Sequence, residues 1–258
     1  MSKKTLITGA STGIGATYAD RFARRGHDLV LVARDVSRMN ALAAKLHEET
    51  GVTVDVLRAD LTEDADIAKV EARLREDAEI EILVNNAGAG LFGGFVNQSS
   101  ADIARLIKLN ATSVAQLANA AATRFASEGR GAMINIASVV GLAPEYSMSV
   151  YGATKAFVTF LSQGLAQELG PKGVYVQAVL PSGTRTELWE RGGLDLANLQ
   201  PMMDVNHLVD AALAGFDQRE AVTIPPLHDG ELWDAYQSAR QAMLPGFGAT
   251  DPAPRYRG

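Results

Sequence analysis

Short apolar runs alternate with longer amphipathic stretches along most of the chain. "DLVLVA" (28–33) is apolar without alternation, the pattern of a strand buried on both faces of a parallel sheet. "KTLIT" (4–8), "VTVDVLRA" (52–59), "EILVNN" (81–86), "GAMINIAS" (131–138) and "GVYVQAVL" (173–180) read as further strands, with a short last one at "AVTI" (221–224). Between them, residues 14–25, 36–49, 63–77, 149–169 and 206–216 carry helical patterning, and 100–128 reads as one long helix or two joined ones. Gly26, Gly51 and the Gly170-Pro171 pair punctuate helix ends. Strand and helix in alternation, with short connections, predict an α/β fold: a doubly wound, mostly parallel seven-stranded sheet with helices on both faces, Rossmann-like, as one domain over 1–258. Two stretches fit poorly. Residues 182–204 have weak periodicity, and 244–258, rich in Pro and Gly, is expected to be an extended tail.

Composition narrows the function classes. Hydrophobic residues at 47% and charged residues at 21% are those of a soluble globular protein. A net charge of −6, with no Lys/Arg-rich run, argues against nucleic acid as a partner. There is no cysteine, which excludes disulfides, thiolate metal sites and cysteine nucleophiles. The histidines at 27, 47, 207 and 228 lack metal-ligand spacing, so no metal is expected. "MSKKTLITGA" faintly imitates a signal peptide, but its apolar run is too short. No stretch approaches the roughly 18 apolar residues of a membrane helix, and a cytoplasmic location is expected.

Two motifs carry chemistry. "TGASTGIG" (8–15) follows the first strand and opens the first helix. Gly9 permits a tight turn, Gly13 lets a phosphate approach the backbone, and Gly15 lets the helix pack close to the sheet. With Ser11, Thr12 and Ile14 they form a dinucleotide-binding turn, the pyrophosphate sitting on the helix N-terminus. At the end of the second strand the chain reads Ala33-Arg34-Asp35. An arginine with no acid before it favours NADP(H) over NAD(H), and Arg38 is placed to assist. In "YGATK" (151–155), Tyr151 and Lys155 stand one helical turn apart on one face. A free tyrosine titrates near 10, too high for acid–base work at neutral pH, and a nearby ammonium is expected to pull it down.

These motifs, with "NNAG" (85–88), Asn110, Ser138 and "PSGTRT" (181–186), lie in an order and spacing that resemble the short-chain dehydrogenase/reductase family. The resemblance implies interconversion of a carbonyl and an alcohol with a nicotinamide cofactor. It implies that Ser138, Tyr151 and Lys155 are catalytic, with Asn110 fixing a proton-relaying water. It places Asp60 and Leu61 at the adenine and Asn86, Ala87 and Gly88 behind the adenosine half. Pro181, Thr184 and Thr186 fall at the nicotinamide and its phosphate. Residues 182–204, with Leu188, Trp189 and Leu194, would be a lid over an apolar small-molecule substrate, and Met202-Met203 either pocket or core. A homodimer or homotetramer is implied, with Ala118, Ala121, Ala122, Ala153, Ala156 and Gly164 suited to helix packing across a two-fold. The chain departs from the family at Ser182, where glycine is usual, at Thr184, and in its C-terminal sequence. A dinucleotide-binding sensor without turnover stays open as the alternative.

Overall fold

A computed structural model describes residues 3–187 and 202–257. Seven strands form one sheet: β1 (Lys4–Thr8), β2 (Asp28–Ala33), β3 (Val54–Arg58), β4 (Ile80–Asn85), β5 (Ala132–Ile136), β6 (Tyr175–Val179) and β7 (Val222–Thr223). Every pairing is parallel, and the order is β3-β2-β1-β4-β5-β6-β7. The winding reverses between β1 and β4, which opens a crevice beyond their carboxyl ends. The helices are α1 (Gly13–Arg24), α2 (Val36–Thr50), α3 (Asp64–Glu76), α4 (Ser100–Ile107), α5 (Ser113–Glu128), α6 (Ser149–Leu169), α7 (Val205–Asp217) and α8 (Glu231–Ala242). The doubly wound fold expected from the sequence is the one observed.

Strand β2 shows why its run is unbroken. Leu29 and Leu31 join the cluster that contains Tyr18, Phe22 and Leu213, while Val30 and Val32 join the one that contains Val70, Leu117 and Phe125. Successive residues point to opposite faces, and both faces are covered. Each such side chain contributes about 1.5–3 kcal/mol on burial. Caps set the helix limits. The Asp35 carboxylate accepts from Arg38 N at 3.0 Å to start α2, and Gly51, at φ +75°, ends it in the left-handed region.

Residues 100–128 resolve into α4 and α5 joined by a π-turn, Lys108–Thr112. The extra residue in that turn shifts the side-chain phase, an event that hydrophobic periodicity does not register. Ala118, Ala121 and Ala122 are buried in the chain's own core, in the cluster with Val70 and Leu74 of α3. This corrects the expectation that they face a partner, because small residues serve close packing inside a subunit equally well. On α6, Ala153 is exposed and Ala156 and Gly164 are half-buried.

Contacts divide the chain into two compact units, Met1–Pro225 and Pro226–Gly258, so the single domain read over the whole length has a seam at a Pro-Pro step. The sheet lies wholly in the first. In the second, α8 was not marked in the sequence, and none of its residues is buried. Its Trp233 and Tyr236 rings stack at 5.4 Å. The expected extended tail contains 3₁₀ turns at Leu244–Gly248 and Pro254–Tyr256, each with a proline in its first turn, where a missing N–H costs nothing. Of the expected lid, 188–201, with Leu188, Trp189 and Leu194, lies outside the described residues. Its two ends meet: Arg185 N donates to Met203 O at 3.0 Å and Met203 N to Gly183 O at 2.9 Å. Among the described residues no helix is long and apolar enough to cross a membrane.

Candidate active site

A cleft of about 830 Å³ opens at the carboxyl ends of the strands. Of the catalytic and cofactor residues expected from the sequence, all line it except Gly15, Arg38 and Asn110. Gly15 lies beneath the turn: a Cβ there would meet the Gly9 carbonyl oxygen at 2.4 Å. Gly9 has φ +66°, and its Cβ would lie 2.8 Å from Asn86 Nδ2. Asn86 Nδ2 donates to Thr8 O at 2.9 Å and to Gly9 O at 3.3 Å. Thr8 Oγ1 accepts from Asn86 N and Ala87 N, both at 3.0 Å. The ends of β1 and β4, the two flanks of the crevice, are therefore knitted together. Thr8 was not singled out from the sequence, although it stands in the glycine motif. Helix α1 then starts at Gly13 with no side-chain cap on its N–H groups and no acid in its first turn. That leaves donors and a positive dipole end toward the cleft.

At the adenosine end, Arg34 lines the cleft with its Nη1 3.8 Å from Asp60 Oδ2. Asp35 also lines the cleft, but its carboxylate is engaged. One carboxylate oxygen caps α2, and the other lies 3.4 Å from Arg38 Nε. Arg38, expected to assist Arg34, instead holds both oxygens of Glu187 at 2.8 Å.

At the other end stand Ser138, Tyr151 and Lys155. Lys155 is 6% exposed, donates to Ile136 O at 2.8 Å, and its Nζ lies 5.8 Å from the centre of the Tyr151 ring. Burial pushes the phenol of Tyr151 up to about 12, against a hydrogen bond with Ser138 that works the other way. Burial also pulls Lys155 down to about 8. The expected lowering of the tyrosine by its lysine is thus corrected: withdrawal from water sets the direction for both groups. Ser138 Oγ also donates to Pro181 O at 3.2 Å and accepts from Val140 N at 3.2 Å.

Asn110, delivered by the π-turn, is buried just behind the residues that line the cleft. Its Oδ1 accepts from Ala89 N at 3.0 Å, and its Nδ2 donates to Ala89 O at 2.9 Å and to Thr154 Oγ1 at 3.3 Å. Thr154 donates in turn to Tyr151 O at 2.7 Å. The asparagine side chain therefore ties the loop after β4 to the helix that bears the tyrosine. A Cβ on Gly88 would sit 3.3 Å from Asn110 Oδ1 and 3.6 Å from Lys155 Nζ, so the three groups close on one point. The lining from the loops after β4 and β5 is uncharged, with Leu91, Phe92, Val140 and Met148 as its apolar part. Among the described residues no group of His, Asp or Glu is arranged to hold a metal ion.

The short chain dehydrogenase family matches residues 3–195, and the chain belongs to that family. A short-chain dehydrogenase from Sphingobium yanoikuyae, solved in complex with NADPH, is 62% identical, with a TM-score of 0.97 over 99% of this chain and 100% of that one. The bulky-bulky ketone specific alcohol dehydrogenase of Comamonas testosteroni is 58% identical, with a TM-score of 0.93 over 99% of each chain. The very-long-chain 3-oxoacyl-CoA reductase-A of Danio rerio is 33% identical over 192 residues, 73% of this chain, and the match spans 60% of that relative's length.

Proposed function

We propose that the protein is an NADP(H)-dependent oxidoreductase that reduces a neutral ketone, flanked by apolar groups, to a secondary alcohol. The observation that carries this reading is the juxtaposition of Ser138, Tyr151 and Lys155 in the cleft that the glycine turn opens. The turn fits a dinucleotide. Its cradle exists only because Gly9 and Gly13 take positive φ, and a Cβ on Gly13 would crowd Thr186 at 3.1 Å. NADP(H) is favoured because Arg34 lines the cleft while Asp35, which lines it too, has its carboxylate engaged in the first turn of α2, and a relative at 62% identity was solved with NADPH. When bound, NADPH supplies two electrons and a hydrogen to the carbonyl carbon.

This chain's residues do the rest. Tyr151, raised to about 12, keeps its proton at neutral pH, the form needed to protonate a developing alkoxide. Ser138 is the hydroxyl beside it that orients the substrate oxygen. Lys155, still charged below about 8, favours negative charge building near the phenol. Asn110 is a positioning residue, holding Ala89 and, through Thr154, the Tyr151 carbonyl. The uncharged, apolar loop lining suits a ketone with two bulky sides, as the Comamonas testosteroni relative's description states of that protein, better than an acyl thioester.

The same reading has the protein act in the cytoplasm as a homo-oligomer. Phe157 and Phe160, 42% and 78% exposed on α6, supply an apolar face for a second copy. Monomer mass by light scattering at micromolar concentration would defeat that part. The test of the whole is loss of NADPH absorbance across a panel of diaryl, aryl-alkyl and dialkyl ketones. Turnover that vanishes in Tyr151→Phe while NADPH still binds supports the reading. Binding of NADPH with no turnover on any member would favour a sensor.

A further inference from the structure

The sequence reading gave the adenosine end Arg34, with Arg38 to assist, and Arg38 is taken up by Glu187. The structure brings another cation to the same cleft: Arg105, from the last turn of α4. It comes from the opposite side of the crevice, since α4 follows β4 while Arg34 follows β2, and the two strands flank β1. Arg105 is exposed, and among the described residues its guanidinium makes no hydrogen bond or ion pair. The nearest acid on its own helix, Asp102, accepts from Ser99 Oγ at 2.6 Å.

Asp60 lines the same cleft, and the charges of both arginines act on its carboxyl. Its Oδ1 accepts from Thr62 N at 3.0 Å and Thr62 Oγ1 at 2.8 Å. Its Oδ2 meets Arg34 only at 3.8 Å, beyond hydrogen-bond reach, so it can accept from a ligand. Burial pushes this carboxyl up, and the Thr62 hydrogen bonds, Arg34 and Arg105 together hold it below its ordinary range, so it stays an acceptor at neutral pH. Beside it, Leu61 and Leu106 line the cleft and are 5% and 4% exposed. The chemistry is that of a slot for a planar ring with apolar faces and an amine on its edge. A guanidinium plane is the group that closes such a slot, because it stacks on an aromatic face while keeping its edge in water.

We propose that Arg105 holds the adenine ring of the dinucleotide, closing the slot of Leu61, Asp60 and Leu106 from the α4 side. The inference rests on the cleft being a dinucleotide site. A ring partner and a phosphate partner differ in what they discriminate. Arg34, at the ribose end, distinguishes NADPH from NADH. Arg105 serves both equally.

The test is calorimetric titration of NADPH and NADH into wild type, Arg105→Leu, Arg105→Gln and Arg34→Leu. Arg105→Leu and Arg105→Gln should each raise Kd by about tenfold for both cofactors. Arg34→Leu should weaken NADPH far more than NADH. Because Arg105 is exposed and unpaired, melting temperatures should match wild type, which separates lost binding from lost folding. Unchanged Kd in both Arg105 variants would overturn the proposal. A loss confined to NADPH would do the same, making Arg105 a phosphate ligand. Wild type that binds neither cofactor would instead sink the dinucleotide reading and this inference with it.

Discussion

At the dinucleotide end of the cleft, a Cβ on Gly15 would lie 2.4 Å from the Gly9 carbonyl oxygen; in the loop after β4, a Cβ on Gly94 has nothing nearer than Asn97 Nδ2 at 3.9 Å. The first end is made of backbone in contact with backbone. In the second, which runs on past the last cleft-lining residue of this loop, Phe92, the side chains of Phe95 and Val96 are 60% and 89% exposed. One end is specified by residue identity at single positions, where no other side chain fits. The other is specified by the shape that several loops make together, and any one of them can change. The contrast says where substitutions are absolute and where they are graded.

The largest effect belongs to the group that both ends converge on. Tyr151→Phe removes only the proton donor, so turnover should fall by roughly a thousandfold, within the range for general acid catalysis. NADPH affinity should stay within about twofold, because the ring still fills its place. Comparable loss of binding would show that the phenol holds the cofactor and that the two ends are not separable. Next comes the glycine pair. Gly15→Ala should cost roughly 2–4 kcal/mol of stability, since the clash is with backbone that cannot rotate away. Gly94→Ala should be neutral within about 0.5 kcal/mol. Chemical denaturation of the two variants decides it, and equal losses would erase the contrast.

Much of the rigid end was legible in the sequence because its constraints are local. Gly9 and Gly15 announce themselves where only glycine fits, and β2 announces burial on both faces by its unbroken apolar run. What was not legible depends on who the neighbours are. Ala118, Ala121 and Ala122 pack against their own core, and composition cannot say whether a small residue faces a sister helix or another chain. The π-turn that presents Asn110 adds a residue without changing the alphabet. Helix α8 was not marked in the sequence, and none of its residues is buried. Spacing alone put Lys155 beside Tyr151, but it carried no information on how dry that place is, and dryness reverses the expected direction of the tyrosine's shift.

That dryness makes a third prediction. Lys155 is lowered to about 8 and Tyr151 raised to about 12. The form competent for reduction has both protonated. It is complete below about 8 and is lost as pH rises through the lysine's value, well before the tyrosine titrates. The profile of kcat/KM for NADPH reports the free protein. It should be flat at neutral pH and then fall about tenfold per pH unit above the lysine's value. A limb that begins only near 10 would mean that burial does not govern the pair. At the opposite end of the cleft, Arg34→Leu should cost about tenfold in NADPH affinity, the loss of charged hydrogen bonds to a phosphate, and little for NADH. Equal losses for the two cofactors would remove Arg34 as the reader of the phosphate.

The smallest effect belongs to the pliable end. Met148 is half-buried, lines the cleft and leads directly into α6. Its thioether can adjust to the substrate's outline, so it limits size softly. Met148→Ala should raise kcat/KM for the bulkiest ketones by about threefold and lower it by a similar factor for small ones. That is well short of the 10–200-fold that one methylene can command in a closed pocket. NADPH affinity and the pH limb should not move, because Met148 contributes to neither. If Met148→Ala abolished activity on every ketone, the substrate end would be as intolerant as the glycine turn. The cleft would then be a single rigid site rather than a fixed half joined to an adaptable one.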